Sequence, residues 1–209
     1  MKVCWLGNAA LLFEGERARI LVDPVQGGAI EGVDVVLITR DHPAHLSVDA
    51  LQSVLEKSPD AVVLASRSAY AALEALCPKY NIVPFAAHSV WSEKNITFYA
   101  VRAEGADAKA VGFIIDDGNR TYYVSGDTLY NYEVLDDVLE LVEDGVDYAF
   151  LPINGRGGAM NAKDAADFAY ELGAEHAIPL YYGDHHASPD DFDFEEGKIV
   201  LLPGKAAEL

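Results

Sequence analysis

The sequence predicts a layered α/β fold, two sheets covered by helices. Short apolar runs of strand character recur along the chain, segments of helical period fall between them, and no low-complexity linker interrupts the alternation. All of residues 1–209 therefore read as a single domain, long enough to bury a sizeable core. Residues 2–6, 9–13 and 19–22 open as an antiparallel meander, with Glu14-Gly15-Glu16 as a turn. Residues 35–39 form a buried strand. Ser47 caps a helix over 47–57, with Asp49 in its first turn and Val48, Leu51, Val54 and Leu55 on one face. A strand over 61–65 precedes a short helix, 68–76, stopped by Pro78. Residues 82–84, 96–101, 111–115 and 121–125 are further strands. A helix over 132–143 turns Val134, Leu135, Val138 and Leu141 to one side. After a strand at 148–151, Asn161 caps a helix running to Leu172 and ended by Gly173. Strands at 177–180 and 198–202 complete the chain.

The formal net charge of −19, from 34 acidic and 15 basic residues, argues against a nucleic-acid partner, because phosphate binding needs clustered Lys and Arg. The acidity reads as a solvated surface. No apolar run approaches the ~20 residues that span a bilayer. The first residues are too quickly interrupted for a secretory signal. Cys4 and Cys77, far apart among apolar neighbours, read as buried, reduced thiols of a cytoplasmic protein. A small-molecule substrate or ligand is the expected partner, and a homo-oligomer remains open.

Four strand ends carry the chemistry. The stretch Thr39-Arg40-Asp41-His42-Pro43-Ala44-His45 follows the 35–39 strand, and the carboxyl end of a buried strand is where open α/β sheets place ligands. His42 and His45 emerge there together, and neutral imidazole ligates zinc and other first-row metals. The alternative is two polar loop histidines around a turn-fixing proline. Next comes Tyr123-Val124-Ser125-Gly126-Asp127-Thr128, where Gly126 lets the chain bend and Asp127 projects as a metal ligand or, alternatively, caps the next helix. Third is Leu151-Pro152-Ile153-Asn154-Gly155-Arg156-Gly157-Gly158, where the planar fork of Arg156 suits a carboxylate or phosphate unless the loop is merely flexible. The fourth is Ile178-Pro179-Leu180-Tyr181-Tyr182-Gly183.

In this order, together with Trp5-Leu6-Gly7-Asn8-Ala9 and Ile20-Leu21-Val22-Asp23-Pro24, these pieces resemble the metallo-β-lactamase superfamily over nearly the whole chain. They are most similar to the metal-dependent hydrolase branch that includes ascorbate-6-phosphate lactonase. The resemblance implies a four-layer αβ/βα sandwich with a two-metal site at one edge. The family signature, Thr-His-x-His-x-Asp-His, places Arg40 at its first His, His42 at its second, Ala44 at its Asp and His45 at its last His. By spacing from Gly112, the third ligand His falls on Gly105. Asp127 matches the bridging carboxylate, and Tyr181 replaces the final His.

What the resemblance implies is therefore a reduced metal site of His42, His45 and Asp127. It holds fewer than two divalent ions, zinc or manganese, or none. Neither half-site keeps the three protein ligands typical of catalytic zinc. An inward Arg40 repels a cation and can take over part of its electrostatic role; the alternative is a surface Arg40. Glu104 or the Asp184-His185-His186 group could supply substitute ligands. Two functions follow. One is a metal-dependent hydrolase of a small polar ester, lactone or amide, with Asp41 and Asp127 catalytic and Arg40, Asn154, Arg156 and Tyr181 contacting substrate. The other is a degenerate, metal-free member that binds a ligand or a protein.

Overall fold

A computed structural model describes residues 1–26, 30–183, 187–195 and 197–209. The chain divides into two compact units, Met1–Ala86 with Leu201–Leu209, and Ala87–Val200.

The first unit is built on a seven-stranded mixed sheet. Its opening meander is β1 (Lys2–Gly7), β2 (Ala10–Glu14) and β3 (Arg19–Val22), antiparallel throughout. From β3 the pairing turns parallel through β4 (Val35–Ile38), β5 (Val62–Ala65) and β6 (Asn81–Pro84). Every residue of β4 and β5 is buried, which explains their unbroken Val/Leu/Ile runs. Helix α1 (Val48–Lys57) is capped by Ser47, whose side chain accepts the Ala50 N–H, as its sequence predicts. The buried face is Ala50, Leu51, Val54 and Leu55; Val48 sits in the first turn and is exposed. Helix α2 (Arg67–Ala72) is shorter than expected and starts one residue earlier, with Ser66 as its cap.

The second unit carries a six-stranded mixed sheet. β7 (Val90–Glu93), β8 (Ile96–Arg102), β9 (Val111–Asp116) and β10 (Thr121–Val124) are antiparallel. β11 (Tyr148–Pro152) and β12 (His176–Leu180) continue in parallel from β10. Helices α3 (Tyr132–Leu139) and α4 (Ala162–Glu171) cover this sheet, burying Val134, Leu135, Val138, Ala165 and Phe168 against Tyr123, Ile114 and Leu151. Gly173 ends α4 in the left-handed region at φ 69°, as its sequence predicts. α3 stops at Leu139, before Leu141, which is exposed.

Residues 198–202 do not form the expected strand; the segment bridges only at Lys198, to Ala177. The last strand is instead β13 (Ala206–Glu208), which adds to β1. Cys4 and Cys77 are free thiols, but half-buried rather than buried. Among the described residues no helix is long and apolar enough to cross a membrane.

Candidate functional site

The loop after β4 hangs on a buried carboxylate. Asp23, fully buried just beyond β3, adopts a left-handed backbone (φ 47°) that few residues other than Gly, Asn and Asp tolerate. Its Oδ1 accepts the Thr39 N–H at 2.8 Å and its Oδ2 the Thr39 hydroxyl at 2.7 Å. His45, also fully buried, places Nδ1 2.7 Å from the same Oδ2 and 3.0 Å from the Thr39 oxygen. An ionised carboxylate only accepts, so Nδ1 carries the proton and the ring's remaining lone pair lies on Nε2. This arrangement prepares a histidine to ligate a metal or take a proton.

His42 is prepared differently. It is exposed, and its Nδ1 accepts the Ala44 N–H at 3.2 Å. In a neutral ring that contact puts the proton on Nε2. The two rings stand 6.0 Å apart, edge to face. Arg40 is 5% exposed, which excludes the surface alternative. Asp41 is exposed, and its N–H donates to the Ser68 hydroxyl at 3.4 Å.

In the second unit, Gly126 turns the chain at φ 61° after β10, and Asp127 is buried there at 8% exposure. Asp127 does not cap α3; Asn131 does, accepting the Glu133 N–H at 2.7 Å. Asn154 is half-buried and accepts the Arg156 N–H at 3.3 Å, while Arg156 itself is exposed. Their glycine-rich loop is tied rather than loose. Gly155 N–H bonds to the Met160 carbonyl, Ala159 N–H bonds to the Arg156 carbonyl, and Asn154 bridges Asn161. A Cβ on Gly157 would lie 3.9 Å from Asp127 Oδ2, so the bare main chain runs beside the carboxylate. Tyr181 is half-buried and left-handed at φ 60°. Burial pushes the neighbouring Tyr182 phenol above its ordinary pKa.

The described residues do not fit a conventional catalytic metal. No group of three or more His, Cys, Asp or Glu side chains among them is placed to hold an ion. Asp184-His185-His186 lies outside the described residues. Sequence reasoning missed Asp23 as the residue that orients His45; its signal was an Asp-Pro pair directly after a buried strand.

The fold is shared with solved structures: one from the archaeon Ignicoccus hospitalis, described as a novel metallo hydrolase, superposes with a TM-score of 0.81 at 21% identity, covering 99% of this chain and 97% of that one. The metallo-β-lactamase fold protein YhfI of Bacillus subtilis gives 0.79 at 17% identity, covering 99% and 98%. The β-lactamase superfamily domain profile matches residues 2–181, and the chain belongs to that superfamily. Its relatives include a UPF0173 metal-dependent hydrolase of Metallosphaera sedula, 26% identical over 100% of this chain and 99% of the relative. Another, from Methanospirillum hungatei, is 30% identical over 87% of this chain and 83% of the relative.

Proposed function

We propose that this superfamily member binds a small polar metabolite at the loops of the ancestral hydrolase site and works without a two-metal centre. The observation that carries this reading is the burial of Arg40 at the position of the first signature histidine. A guanidinium stays charged at any physiological pH. A fixed positive charge near a divalent ion repels it and weakens metal binding. The half-buried Asn154 and Tyr181 and the exposed Arg156 would contact the ligand. The run Ile153-Asn154-Gly155-Arg156 supports a lactone-like or phosphorylated compound by analogy with the lactonase branch. The free cysteines support a reducing, cytoplasmic setting.

A second reading is favoured by the Asp23–His45 pair, which leaves Nε2 of His45 with its lone pair, and by the naming of the relatives as metal-dependent hydrolases. In it a single zinc or manganese ion draws on His45 with His42 and Asp127, and supplies Lewis-acid activation of water for an ester, lactone or amide.

The test is a thermal-shift and turnover screen of small lactones, esters, amides and sugar phosphates, with and without chelator. Ligand stabilisation that survives chelation, without product, is the expected result. Turnover that appears only on adding zinc or manganese would sink the proposal in favour of the second reading.

A further inference from the structure

Gly105 stands where the superfamily pattern expects its third ligand histidine, and the second unit leaves no room there for a side chain. A Cβ built on Gly105 falls 2.8 Å from the carbonyl oxygen of Gly158, and one built on Gly158 falls 2.6 Å from the amide nitrogen of Ala106. Real Cβ atoms do not approach backbone this closely, and neither partner is the yielding end of a flexible side chain. Gly158 also has φ 88°, which a Cβ would strain. The opposite side of the same segment is fixed as well. Glu104 N–H donates to the Thr128 hydroxyl at 2.9 Å, and Leu129 N–H donates to the Glu104 carbonyl at 2.7 Å. Residues 104–106 are thus clamped between the chain following Asp127 and the glycine-rich loop after β11.

We propose that the Gly105–Gly158 main-chain contact has replaced a ligand side chain as the tie between these loops. A metal site therefore cannot be restored at this position by changing residue 105 alone. The inference deepens the metal-independent reading and rests on it. Loss of metal is then written into the course of the backbone and not only into the missing side chains: a histidine at 105 must displace Gly158, together with the Gly155–Met160 turn to which it belongs.

The experiment pairs melting temperature with zinc content in the full chain. Gly105→Ala is expected to lower Tm by about 5 °C, the effect of overpacking at a site with no give. Lys109→Ala, an exposed change on the same loop, is expected to stay within about 1 °C. Gly105→His, equilibrated with excess zinc, is expected to hold no more zinc than wild type. A wild-type Tm for Gly105→Ala overturns the proposal, and so does a Gly105→His protein that gains one zinc per chain. If Gly105→His fails to fold, Gly105→Ala decides. Wild-type zinc content is read in the same series. Stoichiometric zinc in wild type defeats the metal-independent reading, while the Gly105→Ala melting temperature still judges the contact on its own.

Discussion

In the first unit the loop after β4 is suspended from side chains. Asp23 accepts from Thr39 twice and from His45 once, and all three residues are fully buried. In the second unit the loop after β11 is held by main chain: glycine against glycine, with amide-to-carbonyl bonds across its neck. The first arrangement preserves the orientation of a residue able to do chemistry. The second fills space that a ligand side chain would need. Side chains thus hold the one loop, and main chain holds the other.

The sharpest way to break this contrast is to remove the carboxylate. Asp23→Ala strands the buried His45 and Thr39 donors and puts a Cβ residue without a compensating oxygen at φ 47°. The expected loss is about 3–5 kcal/mol, or about 10 °C in Tm, measured by thermal or urea unfolding. A shift of only a degree or two would show that the network is incidental. Gly158→Ala, by comparison, is expected to lose about 2 kcal/mol from strain and overpacking in the same assay.

The electrostatic side of the contrast is tested through Arg40. Arg40→Met keeps much of the side-chain volume and removes the charge. Zinc affinity, followed by calorimetry, is expected to rise by more than about tenfold. Unchanged affinity would mean that the guanidinium does not govern cation binding.

Two smaller effects come from β10. Burial raises the phenol pKa of Tyr122 and Tyr123 above the ordinary value of 10.0. The unfolded chain then releases these protons at lower pH than the folded one. Stability is full below pH about 10 and falls as pH rises above it. Urea midpoints between pH 8 and pH 11 should show the decline, and Tyr123→Phe should flatten it. The Tyr123 hydroxyl meets no hydrogen-bond partner among the described residues, so Tyr123→Phe is also expected to gain up to about 1 kcal/mol at neutral pH.

Local signals made much of the fold legible. Ser47 and Asn161 announce their helices by cap chemistry alone, and Gly173 announces a helix end by its tolerance of left-handed backbone. The start of α2 at Arg67, one residue before the expected one, rests on Ser66, whose side chain accepts the Ala69 N–H. β7 is not legible because Val90, Trp91, Ser92 and Glu93 form an edge strand, alternately exposed and half-buried, with no apolar run. Residues 198–202 misled in the opposite sense: an apolar run with one bridging residue is not a ladder. At the site, the strand-end motifs single out His45 and Asp127, and both are buried. The role of Asp23 was not legible, because its partners lie 16 and 22 residues away. The closure at Gly105 was hidden for the same reason; a glycine records the absence of a side chain but not the chain that presses against it.

On the metal-independent reading proposed above, this superfamily member holds its site together without metal. The most direct measurement is elemental analysis of the purified wild-type protein after equilibration with excess zinc and manganese and removal of unbound ions. Metal far below one ion per chain is expected. One or two tightly held ions per chain would contradict it.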